Sequence, residues 1–415
     1  MRKNLTVDGT RLWKSLMEMA QIGATAKGGV CRLTLTDLDR ESRALFVRWC
    51  EEAGCTIAAD AIGNLFARRE GRDPSRPAVM TGSHLDTQPT GGRFDGVYGV
   101  LAGLEVLRTL NERGIATEAP VEVAVWTNEE GSRFSPAMMG SGVHAGVFAL
   151  ADILDKRDVD GKRFGDELAR IGAAGPDTPG TRRTGAYFEA HIEQGPILEA
   201  EGKTIGVVTA AQGQRWYEIT VTGQEAHAGP TPMERRRDAL VAAARVIELV
   251  NRIGRERPPY ACATVGFIQS KPNSRNTIPG EVFLTVDFRH PEAATLAAMD
   301  EALKAGVAEI APRSAVEAKV VDFWHFPPTP FAPRLVDAVR QGASRLGLSH
   351  RDIVSGAGHD AVYVARVAPA AMIFVPCADG ISHNEIEDAK PEDLEAGANV
   401  LLHAILAEAG VVAGG

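Results

Sequence analysis

The sequence predicts an α/β protein of two domains, one of which is inserted into the other. The chain has 415 residues, more than one ordinary hydrophobic core supports. Helix-like and strand-like segments alternate along both ends of the chain, as in α/β proteins. A central segment instead has the order β-α-β-β-α-β, between hinge-like stretches AAQG at 210–213 and PPTP at 327–330. We therefore expect one domain from residues 1–211 and 330–415, and an inserted domain from 212–329.

The outer domain begins with helices and continues with strands. Residues 12–52 are predicted to be helical, and Thr36 or Asp37 is suited to cap the helix that runs through Phe46 and Trp49. The expected strands are 56–59, 64–68, 78–80, 121–125, 186–195 with a polar tip, and 371–375; the expected helices are 97–110, 334–346 and 391–409. This alternation predicts a sheet covered by helices.

The inserted domain is predicted to be ferredoxin-like. Its expected strands are 216–222, 261–269, 281–288 and 315–323, and the second and third of these are expected to pair. Thr231-Pro232 is expected to cap a long helix that ends at Ile253, and 292–310 is the second predicted helix. A βαββαβ unit of this kind can fold by itself.

Composition narrows the classes of function. A formal net charge of −9 argues against a nucleic-acid partner, because binding phosphates requires a basic surface. The apolar runs are shorter than a membrane span, and no secretory signal follows the basic residues at the start of the chain. The five cysteines are odd in number and form no C-x-x-C pair, which favours reduced thiols. We expect a cytoplasmic protein with a small-molecule substrate.

Six candidate metal or catalytic residues follow separate predicted strands in glycine-flanked loops. They are His84, Asp95, Glu129, Glu130, His191 and His383. A single histidine at such a place is usually only hydrogen-bonded, and a Glu-Glu pair usually lies in a solvated turn. The convergence of all six at the strand ends of one sheet favours a shared site instead.

Imidazoles and carboxylates together are ligands for zinc or a similar divalent ion. Asp86, two residues after His84, is expected to orient the His84 ring, and Asp95 could bridge two ions that activate one water. Because adjacent side chains point in different directions, one of Glu129 and Glu130 could bind metal while the other acts as a general base. Such a cluster would be positive and would favour an anionic substrate.

Several motifs in order carry a family resemblance. They are HLDTQPTGGRFDGVYG, WTNEEG, FEAHIEQG, HAGPTP, NSRNTIPG, DFR and GISHNE. Across almost the whole chain, the sequence resembles the dinuclear-metal amidohydrolases related to aminoacylases and metallocarboxypeptidases. Within that family it is similar to the branch of N-carbamoyl-L-amino acid hydrolases, β-ureidopropionases and allantoate amidohydrolases.

The resemblance implies two divalent ions per chain, and the mix of imidazole and carboxylate ligands accepts zinc, manganese, cobalt or nickel. It implies that His84, Asp95 and His191 hold one ion. It implies that Asp95, Glu130 and His383 hold the other, with Glu129 as the base. The inserted domain then serves as a lid and as the surface of a homodimer.

The resemblance also implies a set of substrate-binding residues. Arg289, with Asn276 and Gln194, is the expected clamp for the substrate carboxylate, since a guanidinium can bind a carboxylate through two hydrogen bonds. His227 resembles an oxyanion-stabilising histidine donated across the dimer interface. Gly358 and His359 resemble positions of a substrate loop, and Gln214 and Arg215 are further candidate contacts.

The expected reaction is hydrolysis of the ureido C–N bond of N-carbamoyl-L-amino acids or N-carbamoyl-β-alanine. Three alternatives stay open at this point. They are an allantoate amidohydrolase, an aminoacylase or dipeptidase, and a binding protein without catalysis.

Overall fold

A computed structural model describes residues 5–412 and divides the chain into two compact units. The first unit contains the chain up to Thr209 and again from Phe331, and the second contains Ala210–Pro330. The junctions expected from the sequence, after residues 211 and 329, lie within two residues of these. No helix in the described part of the chain is long and apolar enough to cross a membrane.

The first unit is built around a mixed sheet. Its strands are β1 (Thr56–Ala59), β2 (Leu65–Arg69), β3 (Ala78–His84), β4 (Val121–Trp126), β5 (Thr184–Ile192), β6 (Ile205–Ala211, which runs on into the second unit), β14 (His350–Ser355) and β15 (Ala370–Val375). The strand order is β1-β2-β4-β3-β5-β15-β6, and β14 also pairs with β6. β4, β3, β5 and β15 are parallel to their neighbours in this series, whereas β1–β2, β2–β4 and β15–β6 are antiparallel.

Helices cover this sheet. They are α1 (Gly9–Met19), α2 (Asp37–Glu52), α3 (Val97–Glu112), α4 (Met139–His144), α5 (Leu150–Leu154), α6 (Phe164–Arg170), α7 (Ile197–Ala200), α10 (Pro333–Arg345), α11 (Asp360–Val364) and α12 (Pro391–Ala409). α3 and α12 are apolar on most sides and are almost wholly buried, as such helices must be. α3 packs on β3 and β5, and α12 packs on α3, α10 and β15, so the core lies between these layers.

The second unit is an antiparallel sheet with two helices. Its elements are β7 (Gly213–Thr222), β8 (Ala226–His227), α8 (Ala239–Arg255), β9 (Cys262–Lys271), β10 (Thr277–Ile278), β11 (Glu281–His290), α9 (Ala293–Arg313), β12 (Glu317–Phe326) and β13 (Thr329–Pro330). The four long strands have the order β12-β7-β11-β9. Alternate residues of β11 are buried, so one face of the sheet packs against α8 and α9. The predicted α/β class with an inserted βαββαβ domain is confirmed.

Individual elements differ from the sequence predictions. α8 begins at Ala239 and not after Thr231-Pro232, because Asp238 caps it by accepting hydrogen bonds from the N–H groups of Leu240 and Val241. β3 continues four residues beyond its predicted end, to His84, and β6 and β14 were not predicted. Within the predicted helical segment 12–52, residues 20–36 contain no helix, and Thr36 caps α2 as expected. The other predicted helices and strands are present, with shifted ends.

Candidate metal centre

Four strands bring polar side chains to one edge of the large sheet. β3, β4, β5 and β15 are parallel neighbours, so their carboxyl ends lie at the same edge. β3 ends at His84, β4 leads to Glu129 and Glu130, β5 carries His191 near its end, and β15 precedes the loop that holds His383. The structure therefore brings these side chains together.

Asp95 lies at the centre of this cluster. Among the described residues it belongs to two groups that could hold a metal ion, one with His84 and His191 and one with Glu130 and His383. Within each group the ligand atoms lie within 4.8 Å of one another. Asp95 Oδ1 is 3.5 Å from His84 Nε2 and 3.3 Å from His191 Nε2, whereas Oδ2 is 3.5 Å from His383 Nε2. The carboxylate thus turns one oxygen to each group, as a bridging ligand would.

Main-chain contacts set the orientation of two of the imidazole rings. His84 Nδ1 lies 2.8 Å from the carbonyl oxygen of Asp86, and His191 Nδ1 lies 2.9 Å from that of Ile192. Each Nδ1 therefore carries the proton and donates it to a carbonyl, which leaves Nε2 with a free electron pair. His191 Nε2 accepts a hydrogen bond from the Gly96 N–H at 3.1 Å, which agrees with this tautomer. Rings held in this way fit a divalent cation.

Gly96 lets the chain approach the cluster closely. Its φ of +68° lies in the left-handed region, and a Cβ built on it would lie 2.3 Å from atoms of the His84 ring. Gly96 is also the residue from which α3 starts. A side chain at this position would displace the His84 ring.

The electrostatics of the cluster favour a bound cation. Burial raises the pKa of Glu129 well above its usual range; His84 opposes this shift, and Asp360 adds to it. Burial and the nearby Asp95 carboxylate raise the pKa of Glu130 to about 8. Burial lowers the pKa of His84, but Glu129 and Asp95 outweigh it and raise that pKa well above the usual value. Crowded, buried carboxylates beside imidazoles therefore suit a divalent ion in place of protons.

Asp86 does not act as the sequence predicted. His84 Nδ1 is hydrogen-bonded to the main-chain carbonyl of Asp86. The nearer oxygen of the Asp86 carboxylate lies 3.8 Å from Nδ1. The carboxylate instead accepts hydrogen bonds from the N–H groups of Glu129 and Glu130, each at 3.3 Å. Asp86 therefore holds the main chain of the two glutamates, and its backbone orients the histidine.

Three positions around the cluster were missed by the sequence analysis. Gln88 donates to Glu130 Oε2 at 2.7 Å through its side chain and to Oε1 at 3.0 Å through its main chain. Ser382 and Glu387 contact Asp95 from the other side. The only signal available from sequence was that these residues lie inside the HLDTQ and GISHNE motifs or just after them.

Comparisons with known proteins agree with this geometry. A model of peptidase family M20/M25/M40 matches residues 80–407. The chain belongs to this family. It is 52% identical over 410 residues to an N-carbamoyl-L-amino-acid amidohydrolase of Rhizobium meliloti, covering 99% of both chains. The predicted family resemblance is confirmed.

Two further relatives bear on the subfamily. A solved amidase of the hydantoinase/carbamoylase family from Burkholderia multivorans is 66% identical, has a TM-score of 0.95, and matches over 98% of each chain. The allantoate amidohydrolase of Bacillus subtilis is 36% identical, covering 92% of this chain and 93% of the relative.

In this M20/M25/M40 member, some predicted substrate residues lie at the metal centre itself. Gln194 donates from Nε2 to Asp95 Oδ2 at 2.7 Å, and its φ is +58°. His359 is buried, with its ring centroid 4.6 Å from that of His191 and its Nε2 3.0 Å from Ser355 Oγ. Burial holds the pKa of His359 well below its usual value, and the neighbouring His191 lowers it further. His359 therefore supports His191 as a neutral ring.

Gly358 precedes His359 in the loop before α11. A Cβ at Gly358 would lie 3.1 Å from the terminal methyl group of Met138, so this part of the loop passes close to the start of α4.

The remaining predicted substrate residues lie in the second unit. His227 and Asn276 lie together, because β8 pairs with β10 and the Asn276 carbonyl accepts from the Ala228 N–H at 2.8 Å. Arg289, on β11, is ion-paired with Asp287 at 2.9 Å. β8 and β10 form a two-stranded sheet that is separate from the four-stranded sheet. Arg289 is in register with Gln214, eight residues along β11 from Glu281, the end of β11 that follows β10. Within one chain, the structure therefore places Arg289 apart from His227 and Asn276.

Arg215 lies apart from this predicted set. Its guanidinium pairs at 3.1 Å with Asp300 of α9, on the face of the sheet that the helices cover. Tyr217, two residues along β7, donates to the same carboxylate. Arg289 lies on the opposite face of the sheet. Asp287, two residues before Arg289 and on the same face, is in register with Trp216. Trp216 points away from the face of Tyr217, because successive residues of a strand point to opposite faces. The structure thus assigns Arg215 to the packing of α9 and not to the predicted substrate contacts.

Proposed function

We propose that the protein hydrolyses N-carbamoyl-L-amino acids, releasing the L-amino acid, ammonia and carbon dioxide. The observation that carries this proposal is the Asp95 carboxylate shared between two ligand groups, with Glu129 beside the ligand His84. The 52% identical relative named for this activity supports the choice of substrate. N-carbamoyl-β-alanine has the same ureido and carboxylate groups, and we include it in the proposed substrate class.

We propose that two divalent ions, zinc or else manganese, cobalt or nickel, occupy the site. His84, Asp95 and His191 would hold one, and Asp95, Glu130 and His383 the other. When bound, such ions polarise a carbonyl oxygen and lower the pKa of water. This is the help that a ureido carbon, a poor electrophile, requires.

Glu129 is the proposed general base. Its Oε2 lies 3.4 Å from His84 Nε2, and the N–H of Glu129 is held by Asp86. Its raised pKa, caused first by burial, suits a carboxylate that accepts a proton from the attacking water and returns it to the leaving nitrogen. In the balanced reaction, the water oxygen bonds to the ureido carbon, the C–N bond to the amino acid breaks, and the carbamate released decomposes to ammonia and carbon dioxide.

Arg289 is the proposed clamp for the substrate carboxylate, with Gln194 as a further contact and with Asn276 contributed, like His227, by the neighbouring subunit. The Arg289 guanidinium bonds with a carboxylate already, that of Asp287, through Nε and Nη2. The same planar group can bind a substrate carboxylate through two hydrogen bonds. We propose that His227 stabilises the developing negative charge on the ureido oxygen.

We also propose a homodimer, formed through the second unit, in which His227 acts in the neighbouring subunit. β9 is an edge strand of the four-stranded sheet, and its Phe267 and Ile268 side chains are 51% and 46% exposed. An exposed apolar edge strand is suited to pairing with another chain. The odd number of cysteines supports the further proposal of a cytoplasmic protein.

Glu129→Gln tests the assignment of the base. The variant should keep its bound metal and lose roughly 10²- to 10⁴-fold in kcat, because the amide cannot accept the proton. Ammonia release from N-carbamoyl amino acids and the metal content per chain are the measurements. Glu385→Gln is a matched control, since Glu385 pairs with Lys27 and lies outside both ligand groups. Near-normal turnover in Glu129→Gln would contradict the assignment of Glu129 as the general base.

Allantoate is the second candidate substrate, because one 36% identical relative is an allantoate amidohydrolase. Allantoate also carries a carboxylate and ureido groups, so the same ligand set could act on it. Comparing kcat/KM for N-carbamoyl-L-amino acids, N-carbamoyl-β-alanine and allantoate, with each metal added back, decides between them. A preference for allantoate would replace our first choice of substrate.

A further inference from the structure

Glu387 joins two loops of the metal centre that are far apart in sequence. It is only 1% exposed, and its Oε1 accepts hydrogen bonds from the N–H groups of Phe94 at 2.9 Å and Asp95 at 3.1 Å. Glu387 itself lies four residues beyond His383. One buried carboxylate therefore connects the main chain at Asp95 to the loop that carries His383.

Ser382 completes the connection at the side-chain end of Asp95. Its Oγ lies 2.7 Å from Asp95 Oδ2 and 2.7 Å from Glu387 Oε2. The Asp95 residue is thus held at its N–H by Glu387, and at its carboxylate by Ser382 together with Gln194. Few rotations of the aspartate side chain remain once both ends are held.

A glycine makes this approach possible. A Cβ built on Gly92 would lie 2.1 Å from the Glu387 carboxyl group, too close for any other residue without a shift of the glutamate. Arg93 adds an ion pair with Asp388 at 2.8 Å, which joins the same two loops at the surface. Both loops therefore contribute to the contact: Gly92 and Arg93 from one, and Glu387 and Asp388 from the other.

The orientation of Asp95 matters to both ligand groups, because Oδ1 faces His84 and His191 while Oδ2 faces His383. A small rotation of the carboxylate would change both sets of distances at once. By contrast, Gln88 holds Glu130, which belongs to the second group alone. The two kinds of supporting contact therefore have different expected consequences.

We propose that Glu387 and Ser382 are positioning residues that fix the Asp95 carboxylate so that it can serve both metal ions. The proposal rests on the proposed pair of ions. Residues that orient metal ligands contribute roughly 10- to 100-fold to metal affinity. Loss of Glu387 should accordingly weaken both ions together, whereas loss of Gln88 should weaken one of them.

The test is titration of Zn²⁺ into metal-stripped full-length protein, by calorimetry with a competing chelator. Glu387→Ala and Ser382→Ala are expected to bind both equivalents about 10- to 100-fold more weakly, with Ser382→Ala at the lower end. Glu387→Gln should restore most of the affinity, because its amide oxygen can still accept both N–H groups and its amide nitrogen can donate to Ser382. Gln88→Ala is the matched control and should weaken only one equivalent.

The outcomes separate the proposals. Unsubstituted protein that binds fewer than two equivalents contradicts the pair of ions, whatever the variants do. Unchanged affinity in Glu387→Ala, or the loss of one equivalent alone, overturns the positioning role while the pair of ions stands. Circular dichroism of the metal-free variants shows whether each is folded; if Glu387→Ala is not, Ser382→Ala decides, and unchanged affinity there overturns the proposal.

Discussion

Replacing Asp86 by asparagine or alanine distinguishes the two roles that this residue could have at the metal centre. If its carboxylate oriented the His84 ring, as the sequence suggested, the substitution would affect the ligand group of His84. The structure instead has the carboxylate on the N–H groups of Glu129 and Glu130 and the main-chain carbonyl on the ring. The carbonyl remains in every variant, so the His84 ring should keep its orientation.

The size of the effect follows from the two hydrogen bonds. A hydrogen bond to a charged group contributes about 1.5–3 kcal/mol, and the length of 3.3 Å for each bond favours the lower value. The asparagine oxygen can accept one of the two N–H groups, so Asp86→Asn should lose about 1.5 kcal/mol, or roughly tenfold in kcat/KM. Asp86→Ala loses both bonds, which corresponds to about 3 kcal/mol and roughly 100-fold.

Steady-state ammonia release gives kcat/KM, and metal titration reports on the two ligand groups. We expect weaker binding at the group of Glu130 and unchanged binding at the group of His84. Equal kcat/KM in all three proteins would refute the reasoning. Loss of the ion held by His84 would refute it as well, and would restore the role predicted from sequence.

Three further outcomes are expected. Gly96→Ala should bind metal poorly and have a lower Tm, since its Cβ would lie 2.3 Å from the His84 ring; a normal metal content would contradict this. Arg215→Ala should lower the free energy of unfolding in urea by at most roughly 1 kcal/mol, because Asp300 loses one ion pair but keeps Tyr217 and Lys304 as partners, and should leave KM unchanged; a raised KM would return Arg215 to the substrate site. Metal-free protein should lose stability as the pH rises from about 4.5 towards 8, since the folded form keeps a proton on Glu130 that the unfolded form releases; a Tm that is no lower at about pH 9 than at about pH 6 would contradict the raised pKa.

The general position of the metal centre could be predicted because it depends on local patterns. His84, Glu129 and His191 each lie at or just beyond the end of an apolar strand-like run, and parallel neighbours place such ends at one edge. The inserted unit could be recognised for a similar reason, since the period-two pattern of β11 and the long amphipathic α8 are visible in the residues themselves.

The start of α8 could not be predicted from the nearest signal. Thr231-Pro232 has the composition of a helix start, yet it is followed by a short 3₁₀ turn at Met233–Arg235. Asp238 is also a residue type that favours the N-cap position. Its side chain accepts hydrogen bonds from the unpaired N–H groups of the first turn of α8. The residue types alone did not distinguish between these two candidate caps, which lie seven residues apart. Only the way the helix packs on the sheet determines which of them begins it.

The supporting contacts were beyond the sequence for a different reason. Asp86 and Glu387 act on main-chain N–H groups, which every residue except proline possesses, so the partner leaves no mark in the sequence. The separation between Glu387 and Asp95 along the chain then removes any spacing by which the pair could be recognised. The ligands of such a centre follow from strand order, whereas the residues that hold the ligands follow from how two loops meet. It is therefore at Asp86 and Glu387, and not at the histidines, that substitution tests whether this arrangement of the loops is correct.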